Sequence, residues 1–446
     1  MQAGRNIGRR SMRFTVVSAL ALGLACVAAL VLSPLSELLV AQRGGGMYLG
    51  STEDPAIKYG SAPLDNPVVA VNQKLKDGAI RFALDGRGGY LQSALQALDI
   101  PVESQMLVFS ATSLQARLIN PGNPRALFFN DHVVLGYVRN GEILEVAAQD
   151  ATAGIVFYTL EQKTAGTPQF QRVTTCLGCH LNADTLGVPG LLMFSTTPAS
   201  DVRPSKSVTM DHRMPLKERW GGWFVTGSSG GADHIGNNVP ALDGRPGREL
   251  ASASGLFEPE GFRATTSDIA ALMVFSHQTY MTNLMTRAGW EARAGDPRLH
   301  PPFVAEPGED ARLAAVMSGV ANEVVDYMLF VDEAKLTDSV RSASGFAERF
   351  SAQGPRDKKG RSLHELDLNH RLMKYPCSYL IYSAAFDQLP PGAKDPIYQR
   401  MWQILSGNER EPRYRSALSL TDRRAIVEIL RDTKPGLPAY FSGAIR

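Results

Sequence analysis

The spacing of hydrophobic and polar positions divides the chain into two parts. Between residues 67 and 164, short apolar runs are separated by turn-forming residues, as is typical of strands. We predict strands at residues 106–109, 126–129, 133–138, 142–147 and 155–160, and one helix at residues 90–98. Asn140-Gly141, between the third and fourth predicted strands, indicates a β-hairpin. This part therefore predicts a small α+β domain, residues 67–164, built on an antiparallel sheet.

Beyond residue 164 the apolar positions recur at the helical spacing of three to four residues. One predicted helix begins at Thr266 or Ser267, and the last begins at Ser419, where a capping-box spacing occurs. The other predicted helices lie at residues 313–331, 372–386 and 396–405. The fold class we predict is α+β, with the sheet domain followed by a mainly α-helical domain, residues 165–446, that has long loops.

The first 41 residues predict export. Four arginines precede an apolar run that begins at Phe14 and ends at Leu32, and a basic leader before an apolar stretch is typical of an export signal. The run is also close to the roughly 20 residues that span a bilayer. Residues 1–41 are therefore either a signal peptide or an N-terminal membrane anchor, and residues 42–66 a linker. The arginines are expected to stay on the cytoplasmic side of the membrane. Both alternatives therefore predict a periplasmic protein, soluble or anchored to the inner membrane.

Composition and charge exclude several classes of protein. The chain has 446 residues, 44% hydrophobic and 20% charged, which is typical of globular proteins. Its net charge is +2, and without residues 1–41 it is −1, so we expect no nucleic-acid partner. Four cysteines are too few for a disulfide scaffold, and Cys26 lies in the apolar run. We expect Cys377 to be a buried, unreactive thiol.

The remaining two cysteines form a motif, Cys176-Leu177-Gly178-Cys179-His180, with the C-x-x-C-H spacing of c-type haem attachment. Two thiols at the start of a helix can add to the two haem vinyl groups, and the histidine then binds the iron. A zinc site would need a second C-x-x-C, and a redox dithiol would need a thioredoxin-like βαβ pattern; the sequence has neither. We therefore predict one heme c, attached through Cys176 and Cys179, with His180 as the proximal ligand.

Two stretches resemble class I cytochromes c. Pro189-Gly190-Leu191 resembles their Gly-Pro-x-Leu stretch, in which the proline carbonyl accepts a hydrogen bond from the proximal histidine. This resemblance implies that Pro189 helps to bind the cofactor. The predicted helix that begins at Ser419 and ends at Lys434 resembles the C-terminal helix of the same fold, which implies a cytochrome c-like haem domain.

Several further blocks resemble a bacterial family of exported single-haem cytochrome c domain proteins. They lie at residues 126–130, 155–160, 212–223, 277–288 and 374–383. The resemblance implies haem binding and electron transfer, and it implies no substrate. That family often has a methionine directly after the histidine that corresponds to His234. This chain has Ile235 instead, so no methionine ligand is available at that position.

The distal iron ligand has several candidates. His277 and His234 are the histidines we select, although His277 also lies on an apolar helix stripe, where a buried neutral histidine is common. Met193 lies in an apolar run and is predicted to pack in the core. The remaining candidates are the methionines Met210, Met214 and Met281.

Three functions are compatible with this sequence. The first is a c-type cytochrome that exchanges electrons with a redox partner protein outside the cytoplasmic membrane. The second is a single-haem peroxidase-like or other redox enzyme with an open distal pocket lined by His212, Arg213 and Trp220, since histidine and arginine can assist O–O cleavage. The third is a haem subunit of a larger respiratory assembly. We favour the electron-transfer protein, although the chain is longer than a simple carrier needs.

Overall fold

A computed structural model describes residues 46–163, 166–197, 206–300 and 308–446. Residues 47–446 form one unit by their contacts. The predicted domain boundary at residue 164 stays a prediction, and the predicted signal or anchor lies outside the described residues. Within the described ranges, no helix is long and apolar enough to cross a membrane.

A six-stranded antiparallel sheet occupies the first part of the chain, with its strands in chain order. The strands are β1 (Met106–Val108), β2 (Arg125–Phe129), β3 (Val133–Val138), β4 (Ile143–Asp150), β5 (Gly154–Glu161) and β6 (Gln171–Arg172). Short apolar runs predicted the first five, and they are confirmed. Asn140 has a φ of 63° in the loop between β3 and β4, which confirms the hairpin. A separate pair follows, β7 (Phe194–Thr197) and β8 (Lys206–Thr209).

Helices form most of the remaining regular structure. They are α1 (Pro67–Lys76), α2 (Leu91–Ala97), α3 (Leu177–His180), α4 (Ile269–Ala294), α5 (Glu309–Met328), α6 (Phe346–Ala352), α7 (Ala384–Asp387), α8 (Pro391–Leu405), α9 (Pro412–Ala417) and α10 (Leu420–Thr433). The 26-residue α4 is buried on nearly every side because it packs against β5, α5, α6 and α8. The sheet followed by helices confirms the α+β class.

The two faces of the sheet pack against different layers. Alternate residues of a strand point to opposite faces. On one face, Phe128 and Val156 share a core with α1 and α2. On the other, which we call the helix-side face, Phe129 and Phe157 share a core with α4. The helix-side face is the one that meets the functional site.

The predicted helix at residues 372–386 is wrong. The chain instead forms a 3₁₀ turn, Tyr379–Tyr382, and the four-residue α7. Ser378 and Ser383 each accept a hydrogen bond at the start of one of these turns. Pro376 disfavours a helical conformation at the residue before it. Local side-chain capping and proline therefore break a segment whose apolar spacing alone is helical.

Other helix boundaries differ by a few residues from the prediction. α4 begins after Asp268, because the Asp268 carboxylate accepts hydrogen bonds from the N–H groups of Ala270 and Ala271 in the first turn of the helix. α8 begins at Pro391 and includes Pro396. α10 begins after Ser419 with a capping box, as predicted. These shifts leave the predicted order of the three helices unchanged.

Candidate functional site

The C-x-x-C-H motif forms a single helical turn. The N–H of His180 donates to the carbonyl of Cys176 at 2.9 Å, which closes α3. Both thiols of the motif are free; Cys176 is half-buried and Cys179 is exposed. Residues three apart lie on the same side of a helix, so one ligand can reach both thiols.

The His180 ring is held in one orientation. Its Nδ1 lies 2.9 Å from the carbonyl oxygen of Gly190, and the Gly190 N–H donates to the His180 carbonyl at 3.0 Å. Because a carbonyl only accepts, Nδ1 carries the proton and Nε2 is an unprotonated base. Burial lowers the pKa of His180, which favours the neutral ring that binds metal ions. No hydrogen bond to Nε2 is formed in the described part of the chain.

The acceptor of the His180 ring differs from the one that the resemblance implies. The resemblance to class I cytochromes c points to the Pro189 carbonyl, whereas the structure uses Gly190, one residue later. The Pro189 carbonyl instead accepts a hydrogen bond from the N–H of Ile155 at the start of β5. Pro189 therefore joins this loop to the sheet, and its neighbour orients the histidine.

Asn283 on α4 fixes the loop that holds His180. Its side chain accepts from the N–H of Leu191 and donates to the Leu191 carbonyl, both at 2.8 Å. Asn283 is almost fully buried. Sequence reasoning missed this residue, although an asparagine on a largely apolar helix is a signal that could have identified it.

Replacing Asn283 with alanine should lower the free energy of unfolding by about 2–4 kcal/mol. The substitution leaves a buried N–H and a buried carbonyl without partners, and each costs about 1–3 kcal/mol. Urea denaturation measures the change. Asn369→Ala, at an exposed asparagine whose amide bonds only within its own loop, should cost less than about 0.5 kcal/mol. Equal losses in the two variants would contradict the role of Asn283.

The cysteine turn lies beside the helix-side face of the sheet. The rings of His180 and Phe157 are 4.9 Å apart, and the Val173 N–H donates to the Phe157 carbonyl. Cys176 and Ala147 are both partly buried against the same core. On β4 the helix-side positions 143, 145 and 147 are only half-buried, whereas the positions between them are buried. The sheet thus has a partly uncovered strip next to the thiols.

His212 and His277 form a buried pair. Their Nδ1 atoms are 2.8 Å apart, and Nε2 of His277 is 2.8 Å from the hydroxyl oxygen of Ser378. Both ring nitrogens of His277 are therefore engaged, and coordination of a metal would break one of these hydrogen bonds. Nε2 of His212 is buried and has no partner among the described residues. Phe330 stacks on both rings.

The structure separates the other predicted pocket residues. Arg213 lies over the rings of Tyr280 and Tyr327, at 4.5 and 5.0 Å from their centroids. Trp220 instead contacts the ring of His234, edge to face, at 5.2 Å. His212 stacks on His277 and on Tyr327, so His212 and Arg213 share Tyr327 as a neighbour, whereas Trp220 packs against a different residue.

The remaining distal candidates lie in different surroundings. Nδ1 of His234 accepts from the N–H of Gly236, and in the described part of the chain no group hydrogen-bonds to its Nε2. Met193, Met210 and Met281 are fully buried in the core, as predicted for Met193. Met214 is partly buried at the edge of the same core. Of the two selected histidines, His234 has a ring nitrogen without a hydrogen bond.

Acid should destabilise the fold through its buried histidines. Burial lowers the pKa of His277 to about 3 and of His234 to about 4, and it also lowers that of His212. The unfolded chain binds protons below pH 6.5 that the native chain does not, so these histidines stabilise the fold above pH 6.5 and lose that contribution on acidification. From pH 6.5 to 5, His277 and His234 each cost about 2 kcal/mol.

Glu333 acts in the opposite direction, because burial raises its pKa to about 7. In the native protein this carboxyl keeps a proton that the unfolded chain releases above about pH 4.5. Acidification to pH 5 therefore raises the free energy of unfolding by about 2 kcal/mol through this group. Glu333→Gln should therefore increase the loss of stability between pH 6.5 and 5 by about 2 kcal/mol, measured by urea denaturation. A loss unchanged by this substitution would contradict the assignment.

Comparisons with known proteins give no relative from which the role of this site could be inferred. No protein-family model, curated protein or solved structure matches this chain. Within the described ranges, no three His, Cys, Asp or Glu side chains form a group that could hold a metal ion. The geometry described above is a turn with two free thiols and an oriented, neutral histidine beside a partly uncovered sheet face.

Proposed function

We propose that this protein is a c-type cytochrome that transfers electrons outside the cytoplasmic membrane. Cys176 and Cys179 would bind the haem through thioether bonds, and His180 would be the proximal iron ligand. Bound haem supplies a one-electron Fe(III)/Fe(II) couple. Haem c is attached after export, so the proposal includes an export role for residues 1–41.

The orientation of His180 is the observation on which this proposal depends most. A metal-binding histidine typically donates its other ring N–H to a fixed acceptor, and Gly190 is such an acceptor here. His277, by contrast, has a partner for each of its ring nitrogens. The free thiols lie in the same turn, so the chemistry of the donor set fits haem c.

The ligand on the distal side of the haem iron would distinguish an electron carrier from an enzyme. Nε2 of His234 has no hydrogen bond in the described part of the chain, so we propose His234 as the distal ligand. A six-coordinate iron favours electron transfer, whereas an open face permits reaction with peroxide.

An absorption spectrum of the purified ferric protein tests this function. We expect a low-spin spectrum that does not change on addition of peroxide, and we expect the protein to be reversibly reduced. His234→Ala should become high spin, whereas His277→Ala should remain low spin. A wild-type protein that is high spin and consumes peroxide would overturn the electron-transfer function in favour of the redox enzyme. Absence of haem would overturn the whole proposal.

A further inference from the structure

The Arg125 side chain lies on the helix-side face of the sheet and forms no hydrogen bond in the described part of the chain. Its Nη2 is 2.7 Å from Oε2 of Glu145, with side chains only 18% and 11% exposed. The contact is an ion pair whose atoms are not aligned as a hydrogen bond, and the buried Nε has no partner in the described part of the chain. A guanidinium has five N–H donors, so Arg125 retains capacity for a second acceptor.

Gly136 provides the space that this guanidinium occupies. A Cβ atom at Gly136 would lie 2.7 Å from Nη2 and 2.8 Å from Nε of Arg125. Glycine in the interior of a strand is unfavourable and often marks a position where another group approaches closely. Here the strand is β3, in the interior of the sheet, and the approaching group is the Arg125 side chain. The guanidinium therefore lies over the strand.

The same two charged groups are close to the cysteine turn. On β4, Ala147 lies two residues from Glu145 on the same face and pairs with Phe157, whose ring is 4.9 Å from that of His180. The helix-side positions Ile143, Glu145 and Ala147 are half-buried, although β4 is an interior strand. A flat ligand held by the two thiols would thus have a half-buried part of the sheet and a cation beside it.

We propose that Arg125 binds a carboxylate of the covalently attached group, which for haem is a propionate; this rests on the proposed function. Arginine binds carboxylates through paired N–H donors, and such charge-assisted bonds are stronger in partly buried sites. Glu145 engages the Nη2 side, and its Oε1 is held by the N–H of Leu114 at 3.1 Å. The ion pair therefore orients the guanidinium, and the N–H donors that Glu145 does not engage are available to the propionate.

Arg125→Gln tests this assignment through the haem rather than through turnover. The variant should bind haem at the wild-type stoichiometry but have a lower midpoint potential, because loss of the cation favours the ferric state. Its propionate-bending band in resonance Raman spectra should also shift. Arg139→Gln is the matched control, because Arg139 follows β3 and interacts with Asn123. We expect neither the potential nor the band to change in this control.

Gly136→Ala provides a second variant if Arg125→Gln does not accumulate. It displaces the guanidinium without removing its charge, so the propionate band should shift while the potential changes less. The inference would be overturned, but not the proposed function, if haem-loaded Arg125→Gln had the wild-type propionate band. If that variant does not accumulate, a wild-type band in Gly136→Ala would have the same consequence. A wild-type protein without covalent haem would overturn both the inference and the proposed function.

Discussion

The double variant Cys176→Ala/Cys179→Ala should lose all covalently bound haem. Thioether bonds to these two sulfurs are the links that survive denaturation, whereas coordination by His180 does not. After separation under denaturing conditions, the wild-type band should stain for haem and the variant band should not. The expected change is from full staining to none.

Cys377→Ala is the matched control for this experiment. Cys377 is a free thiol like the other two, but it is fully buried, and burial raises its pKa to about 12. A buried protonated thiol is a poor nucleophile, as we predicted from the sequence. The control should stain like the wild type. Staining that persists in the double variant would show that the haem is attached elsewhere or not through cysteine.

Asp268→Ala should lower the free energy of unfolding by more than about 4 kcal/mol, the second large effect. Asp268 is fully buried. Its Oδ1 accepts from the N–H groups of Ala270 and Ala271 in the first turn of α4, at 2.8 and 3.3 Å. Its Oδ2 accepts from two N–H groups and two hydroxyls in residues 342–344, at 2.7 to 2.9 Å. The substitution leaves several buried donors without acceptors, and each costs about 1–3 kcal/mol.

Two variants separate the role of Asp268 from a general effect of losing an aspartate. Asp268→Asn keeps one acceptor oxygen and should lose about half as much stability. Asp296→Ala removes a similar cap from an exposed 3₁₀ turn and should cost about 1 kcal/mol. Urea denaturation followed by circular dichroism measures all three. A loss in Asp268→Ala no larger than in Asp296→Ala would contradict the account of this helix start.

Local patterns in the sequence were sufficient for most of the sheet. Short apolar runs identified five strands, and Asn140-Gly141 identified the hairpin, because both signals depend on neighbouring residues alone. The C-x-x-C-H motif is similarly local, and the structure places its three side chains in one turn. The failure at residues 372–386 has a local cause as well: the apolar spacing is helical, but Pro376 and the capping serines end each turn early.

The surroundings of His180 could not be predicted in the same way. Asn283 lies 92 positions after Leu191, and Arg125 lies 20 positions before Glu145, so only the tertiary fold brings these partners together. The His212–His277 pair joins residues 65 positions apart. Sequence reasoning selected both histidines but assigned them to different roles, because burial and hydrogen bonding decide which ring nitrogens are available.

Peptide mapping of the wild-type protein tests the central claim most directly. The protein would be produced in cells with haem-attachment machinery, denatured and digested. The mass of the peptide that contains residues 176–180 would then be measured by mass spectrometry. We predict that this peptide carries the mass of one haem and absorbs as a haem peptide. A peptide with two unmodified thiols, from protein produced in cells that attach haem to a control cytochrome, would contradict the account.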